Sequence, residues 1–556
     1  MIFNKKNTVM NNFSSSIEAF LYWEKETPKN PFLIQNFENH QKGLTYSEAG
    51  VEIRKLALYL SKLGLAEKSQ IALLSQNCSH WVIADLAISM AGFISVPIYP
   101  TLTAEGVQRI ITHSESKAII VGKLTDFASQ KKGIPKIPTI SVKAFGGNTP
   151  MIWEDIMQQE KELKEFSMPK SDDLRTIIYT SGTTGQPKGV MHTTGNFTVS
   201  STTFNRVIKL PKSPKFFSYL PLAHVAERAF CNGILFWGGQ ITFPYSLETF
   251  ATNLEALQPD VFFAVPRIWT KFQEKILENL PQRKLSLLLS IPLINKVLKK
   301  KIQTKLGLSK ATFIASAAAP IASSLVKWYA TIGITIQQAY GMTEDCCISH
   351  SNLTGQNKIG TVGKSLEGVK IKFSEEGELL IYNNCLFKGY FKAPDITAAV
   401  FDEDGYFRTG DIGEYDHEGY LTITGRVKDQ FKTDKGKYIS PAPIELQISK
   451  NTDIEQICVV GTGIPQPIAL ITVSSLGKSK TKENLNSSLF GSILEINPSL
   501  QKHEKIAKIV VMPGEWNVDN GFTTPTLKIK RNSLEKVYQP LYKTWFDDEQ
   551  NVIFKS

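Results

Sequence analysis

Cysteine is scarce, with six residues in a chain of 556, at positions 78, 231, 346, 347, 385 and 458. No two are spaced as Cys-x-x-Cys, so a disulfide framework is excluded and a cysteine zinc site is disfavoured. Such usage fits a reducing compartment. Long apolar runs are missing as well. Nothing approaches the ~20 consecutive apolar residues that a spanning helix needs. The first twenty residues, MIFNKKNTVMNNFSSSIEAF, have no apolar core of signal-peptide type. The sequence therefore predicts a cytoplasmic protein, at most peripheral at a membrane. There is no internal repeat, which excludes a solenoid, and no low-complexity tract.

What is present is an ordinary globular balance, 42% hydrophobic and 21% charged, which excludes a wholly disordered or fibrous chain. The length predicts three or four domain-sized units. Lys+Arg 63 against Asp+Glu 52 gives a net charge of +11. That surplus favours anionic partners such as phosphates, nucleic acid or an acidic membrane surface, without choosing among them. Nothing resembles a nucleic-acid-binding module. Gly461-Thr462-Gly463 lacks the third glycine of a dinucleotide site.

Along the chain, residues 16–65 read as helical segments around a short extended piece. Residues 71–74, 119–121 and 177–179 read as buried strands, with apolar helical stretches such as 81–91 between them. Strands alternating with helices predict an α/β sheet. From about residue 360 to 425 the pattern changes to short strands (369–373, 378–381, 420–424) separated by glycine turns, which predicts a small β-rich subdomain. The charged segment 426–437 is the expected domain boundary. The remainder suffices for one small α+β domain.

One stretch stands apart. Residues 285–294 (LSLLLSIPLI) follow Arg283 and Lys284 and precede Lys299-Lys300-Lys301. A basic-flanked apolar segment can lie on an anionic membrane. A buried helix with a solvated lysine end is the preferred reading, because Pro292 interrupts any continuous amphipathic helix.

The strongest chemical signal is Thr180-Ser181-Gly182-Thr183-Thr184-Gly185-Gln186-Pro187-Lys188-Gly189, directly after a strand-like run. Its glycines permit tight backbone geometry, and backbone N–H groups in such a loop form an anion site. The hydroxyls of Thr180, Ser181, Thr183 and Thr184 add donors, and Lys188 adds a charge. A polyphosphate needs this combination. A Walker P-loop is excluded, since Pro187 stands where its second glycine belongs and Gly189 where it needs Ser or Thr. Taken alone, such a loop has a flexible surface turn as its lesser alternative.

This loop resembles the phosphate-binding signature of the adenylate-forming enzyme superfamily, the acyl-CoA synthetases and their relatives. Four more segments agree, in the family's order. These are Gln338-Ala339-Tyr340-Gly341-Met342-Thr343-Glu344, then Tyr406-Phe407-Arg408-Thr409-Gly410-Asp411, then the hinge-like Gly425-Arg426-Val427-Lys428-Asp429, and finally Thr526-Leu527-Lys528-Ile529-Lys530-Arg531. The resemblance spans about residues 20 to 545. It implies a large N-terminal domain, residues 1–427, with two α/β sheets and the β-rich subdomain, and a small mobile α+β lid, residues 428–556. It implies ATP and Mg²⁺ as cofactors and coenzyme A as co-substrate.

The roles below are carried over by resemblance alone. The loop Thr180 to Gly185 and Lys188 cradle the phosphates. Tyr340 stacks on adenine with Gly341 beside it, and Ala318 lines the base. Thr343 contacts the α-phosphate. Glu344 and Thr180 hold Mg²⁺, a hard cation that prefers oxygen ligands. Asp411 and Arg426 bind the ribose. Lys528 stabilises charge during adenylation and is preferred over its rival Lys530. Lys428 is the hinge, and Lys432 lies where long-chain relatives contact the nucleotide. Each of these residues, taken singly, also fits an ordinary core, turn or surface role.

The run from Tyr219 to Arg228 and Val265-Pro266-Arg267 resemble borders of the acyl pocket in long-chain synthetases, which places His224 beside the carboxylate. A core histidine is the alternative, and a metal site of His224 and Glu227 lacks a third ligand. Arg228 stands where some long-chain relatives have a tryptophan gate, so the gate is unassigned. The implied activity is an acyl-CoA synthetase acting on a fatty acid, with long chains favoured. Two rivals remain: a ligase that loads a carrier protein or activates another acid, and a non-catalytic binding scaffold. The intact charged set argues against the scaffold. The resemblance leaves chain length and oligomeric state open.

Overall fold

The computed structural model describes residues 12–180, 187–524 and 528–555. Two large sheets, a small antiparallel sheet, a two-stranded hairpin and a C-terminal sheet account for its strands. The first large sheet has eight strands. Its middle is the parallel set Ile94–Ile98, Gln70–Leu74, Ala118–Val121 and Thr139–Ser141. Ile94–Ile98 and Ala118–Val121 are buried along their whole length, as parallel strands covered on both faces must be. Eleven of the twelve residues of the covering helix Ser79–Met90 are buried, so it is apolar on nearly every side.

At one side of this sheet, Leu174–Thr180 pairs antiparallel with Lys188–Thr193, and Thr180 lies opposite Lys188. The loop between them therefore hangs from a strand end. Positions Ser181, Gly182, Thr183, Thr184 and Gly185 of that loop lie outside the described residues. Gly189 is required at the returning strand. A Cβ there would stand 2.7 Å from Ile177 Cγ2, inside van der Waals contact.

The second large sheet has nine strands, ordered Lys364–Ser365, His350–Ser351, Gln337–Tyr340, Phe313–Ser316, Val261–Ala264, Lys215–Phe217, Gln240–Phe243, Pro31–Asn36 and Gln41–Thr45. The first helix–strand unit is thus split. The segment expected to be two helices around one extended piece holds two helices around two paired strands, Pro31–Asn36 and Gln41–Thr45. Thr45 ends that hairpin and caps the next helix, Tyr46–Ser61, in a reciprocal box with Glu48.

The small sheet is antiparallel: Lys370–Phe373, Glu378–Tyr382, Phe407–Tyr415 and Leu421–Arg426. It is the β-rich subdomain expected from the glycine spacing. After the turn Val427–Asp429 comes the smaller C-terminal part. Its sheet runs Ile454–Val460, Ile468–Val473, Lys508–Val511 and Val552–Phe554, over its own apolar clusters. The fold is mixed α/β, with a large N-terminal part and a smaller C-terminal one.

The basic-flanked apolar stretch corrects the preferred expectation of a buried helix. It forms two helices, Gln282–Ser290 and Pro292–Lys305, broken at Pro292, and among their residues Leu285 alone is buried. Among the described residues no helix is long and apolar enough to cross a membrane.

Candidate active site

The site assembles where the ends of the two large sheets meet the small sheet. The strand Gln337–Tyr340 leads into the turn Thr343–Asp345. The buried Asp345 carboxylate accepts the Met342 N–H at 2.8 Å and fixes that turn. The turn then passes through two residues in the left-handed region, Cys346 at φ 50° and Cys347 at φ 60°. This sharp return brings the Cys347 backbone against Gly341, where a Cβ would stand 2.6 Å from Cys347 Cα.

His192 secures the same turn from the neighbouring strand. Its Nε2–H donates to the Thr343 carbonyl at 2.7 Å. Burial pushes its pKa down to about 4, so the ring is neutral and its Nδ1 faces the Cys346 thiol at 3.3 Å. His192 was not legible in the sequence as a site residue. It acts on Thr343 through a contact 151 positions away.

Tyr340, Asp411 and Arg426 form one group. The Tyr340 hydroxyl donates to Asp411 Oδ2 at 2.7 Å, and Arg426 Nε lies 2.7 Å from Asp411 Oδ1. Asp411 and Arg426 are partners across the small sheet, so strand register itself sets the ion pair. Asp411 raises the pKa of Arg426. Burial, and then Asp411, raises that of Tyr340. Both thus keep their protons as donors.

A second group spans the two strands at the loop. Lys188 Nζ lies 4.8 Å from the Tyr390 ring centroid, and the Tyr390 hydroxyl donates to Glu344 Oε1 at 2.9 Å. Burial raises the Glu344 pKa. Tyr390, also unforeseen, links the lysine of the loop to the acid of the second motif. Thr180 and Glu344 offer a hydroxyl and a carboxylate, donors that suit Mg²⁺ when phosphates and water complete its shell. Among the described residues no group of three metal-ligating side chains exists.

His224 caps the helix Val225–Phe236, and its Nδ1 accepts the Ala226 N–H at 3.2 Å. The proton of the neutral ring therefore sits on Nε2. Burial, and then the charge of Lys528, pushes the pKa down to about 3. Above about pH 3 His224 is thus a neutral donor. Lys528 comes to this cleft from the C-terminal part. Solvent still reaches its side chain, yet protein crowds its ammonium; that burial, and then Arg426, lowers its pKa. Its charge also acts on Glu344, Asp411 and Cys347. Lys530 instead begins the helix Arg531–Tyr538. Arg531 anchors that helix, with Nη2 2.6 Å from Glu445 Oε1.

Ala318 follows the strand Phe313–Ser316 in the left-handed region, at φ 72°. Lys428 is exposed in the turn after Arg426. Lys432 is exposed on the hairpin, its ammonium 4.7 Å from the Tyr438 ring centroid. Arg267 faces the C-terminal part, bonding Glu515 and lying 3.1 Å from Glu455. Arg228 is sealed beneath the strand Leu174–Thr180. It pairs with Asp85 and donates to Thr176 Oγ1 at 2.6 Å, and Asp85 also pairs with Arg175 at 3.2 Å.

Glu227 follows His224 by three residues and is fully buried. Its Oε1 accepts the Tyr219 N–H at 2.9 Å, and burial pushes its carboxyl up to about 8. The folded chain thus keeps a proton that the unfolded chain has lost, and stability falls as pH rises from about 4.5 to about 8. Glu227→Gln removes this loss. The melting temperature of the variant relative to wild type is expected to climb through that window and level off above it. A difference that stays constant with pH would mean the carboxyl is ionised and partnered.

Thr180, Lys188, His224, Tyr340, Glu344, Asp411, Arg426 and Lys528 thus come together as a set of cationic, acidic and aromatic groups suited to a nucleotide and a carboxylate. Residues 20–391 match the AMP-binding enzyme family, and residues 428–550 match the AMP-binding enzyme C-terminal domain. The chain is 30% identical to long-chain-fatty-acid–CoA ligase 5 of Rattus norvegicus, covering 86% of this chain and 80% of that protein. It is 28% identical to long-chain-fatty-acid–CoA ligase FadD15 of Mycobacterium bovis, covering 88% of this chain and 90% of that protein. The adenylation domain of a carboxylate reductase from Mycobacterium chelonae shares the fold, with a TM-score of 0.80 at 19% identity over 96% of this chain and 91% of that one. With the family matched across both the large and the small part, this chain belongs to the AMP-binding enzymes, the adenylate-forming ligases.

Proposed function

We propose that this protein is an ATP- and Mg²⁺-dependent fatty acid–CoA ligase, with long-chain acids as its substrates. It activates the acid as an acyl-adenylate, releasing pyrophosphate, and then transfers the acyl group to coenzyme A, releasing AMP. The observation that supports this reading is the electrostatic meeting of Lys528 with His224, Glu344 and the Asp411–Arg426 pair, a cation of the C-terminal part beside the groups proposed to bind the carboxylate and the nucleotide.

The chemistry follows from charge. A carboxylate is a poor electrophile and is repelled by a polyphosphate. In the proposed arrangement the ammonium groups of Lys528 and Lys188 offset that repulsion as the oxygen attacks phosphorus, a preorganised electrostatic effect. His224 Nε2–H donates to the acyl oxygen. Tyr340 covers the adenine and Asp411 accepts the ribose hydroxyls, with Arg426 holding Asp411 in place. Magnesium, held by Glu344, Thr180 and the phosphates, would supply further neutralisation. Domains 1–427 and 428–556 would pivot at Lys428 after adenylation, removing Lys528 and admitting the thiol. The names of the curated relatives support the long-chain assignment. The reading carries a cytoplasmic location with peripheral membrane contact.

The test is pyrophosphate release from ATP and Mg²⁺ across acids from acetate to oleate, with and without coenzyme A. The expected result is release that peaks with long-chain acids and turns over only with coenzyme A. Turnover that needs a carrier protein instead would overturn the acceptor, and no release with any acid would overturn the ligase.

A further inference from the structure

Exposed apolar side chains in this protein are not spread evenly. Seventeen large ones are exposed among the described residues, and five of them fall between positions 287 and 297: Leu287, Ile291, Leu293, Ile294 and Val297. Leu293 is 85% exposed and Val297 70%, one turn apart on the same side of the helix Pro292–Lys305. Pro292 breaks the helical path, and the Asn295 side-chain amide donates to the Leu289 carbonyl at 2.6 Å, which pins the corner. The opposite side of the hairpin is committed. Leu285, Leu289, Leu298 and Ile302 pack on the cluster of Trp269 and Tyr329.

Charge is concentrated in the same place. From position 281 to 310 there are eight basic residues and no acidic one. That segment supplies +8 of the net +11, so the rest of the chain is close to neutral at +3. Among the described residues Lys305 alone of the eight is ion-paired, with Glu255 at 2.8 Å. The apolar corner projects and the lysines follow it along the helix. Lys296 and Lys300 lie beside Leu293 and Val297, and Lys299 and Lys301 flank them.

We propose that the hairpin 282–305 is a docking surface for an anionic lipid bilayer, with its corner from Leu287 to Val297 inserted at the acyl boundary and its lysines on the headgroup phosphates. A surface of this kind combines apolar burial with attraction to anionic lipid. A protein partner would need acidic complementarity to the hairpin's unpaired basic groups as well as an apolar socket, whereas an anionic bilayer presents both along its whole plane. The proposal draws its purpose from the fatty-acid reading, since such substrates partition into bilayers, but the docking is measured independently of it.

The experiment is flotation of the full chain with vesicles of phosphatidylcholine alone and of phosphatidylcholine mixed with phosphatidylglycerol, at low and high salt. Wild type is expected to float with the anionic vesicles at low salt and to be released by salt. The pair Leu293→Ser and Val297→Ser should lose flotation while keeping the wild-type melting temperature and its pyrophosphate release on detergent-dispersed acid. The triple change Lys299→Gln, Lys300→Gln and Lys301→Gln should weaken binding about fivefold per lysine. Equal flotation with neutral vesicles, or none with either, overturns the proposal. So does self-association in sedimentation that the serine pair abolishes, because the face would then belong to a second copy. Flotation without acid-dependent pyrophosphate release would leave the docking standing and remove the ligase reading, and the reverse result would remove only the docking.

Discussion

Lys528→Ala is expected to lower acid-dependent pyrophosphate release by about 10²–10³-fold while leaving acyl transfer from a supplied acyl-adenylate to coenzyme A near the wild-type rate. The asymmetry follows from where the charge acts. In the conformation described, the ammonium lies in the cleft with His224, Glu344, Asp411 and Arg426. Solvent reaches the side chain, yet the crowding of its ammonium and the repulsion of Arg426 both lower its pKa. A cation kept against those forces is placed to meet negative charge that arrives with substrate, and the reacting carboxylate and α-phosphate supply it. Lys528→Arg should recover part of the loss, since it keeps the charge and changes its shape. Lys530→Ala should leave release near wild type. The assay follows pyrophosphate for the first half and thioester for the second. If Lys528→Ala slows both halves alike, the residue supports the fold or the domain contact and not adenylation.

That contact is itself part of the argument. Lys528 can reach the cleft only while the C-terminal part is docked. Arg267 contributes to the docking by bonding Glu515 and lying near Glu455. These three residues illustrate what a sequence conceals. The motifs with Lys528, Tyr340, Asp411 and Arg426 are contiguous runs that resemble those of the adenylate-forming enzymes. Each was legible because its members are adjacent in the chain. Arg267, Glu455 and Glu515 meet only after folding. His192 and Tyr390 were missed for the same reason: the first bonds Thr343 from another strand, and the second joins Lys188 to Glu344.

Burial is concealed in the same way. The run 285–294 reads as core by composition, yet only one side of its hairpin meets apolar neighbours. Arg228, whose sequence position left the acyl gate unassigned, is sealed in an ion-paired cluster with Asp85 and Arg175. Composition reports what a side chain can do, and the tertiary neighbours decide which of those things it does. The strands of the parallel sheet were legible for the opposite reason. Covered on both faces, they tolerate only apolar residues, and the pattern is written directly in positions 71–74 and 119–121.

Gly341 joins the two kinds of information, and its replacement has the second-largest expected effect. Its motif was recognisable, but the physical need for glycine appears only in the turn that follows. Cys346 and Cys347 lie in the left-handed region, the chain doubles back, and the Cys347 backbone closes on the Gly341 Cα. An alanine Cβ would meet Cys347 Cα at 2.6 Å and its carbonyl carbon at 2.7 Å. Backbone cannot rotate away as a flexible side chain could, so the turn from Met342 to Cys347 must shift. Overpacking of this kind costs about 1–3 kcal/mol, and a lower melting temperature is expected. The same shift moves Glu344 from the Tyr390 hydroxyl and Thr343 from His192, so acid-dependent pyrophosphate release should fall much further than stability does. The decisive comparison is made well below the melting transition of the variant, where it is fully folded. A folded Gly341→Ala protein with wild-type release would show that the tight return of the chain at Cys347 plays no part in placing Thr343 and Glu344. A folded protein with release reduced by about 10²-fold, comparable to removing one oriented charge-stabilising group, would tie the geometry of this turn to the chemistry.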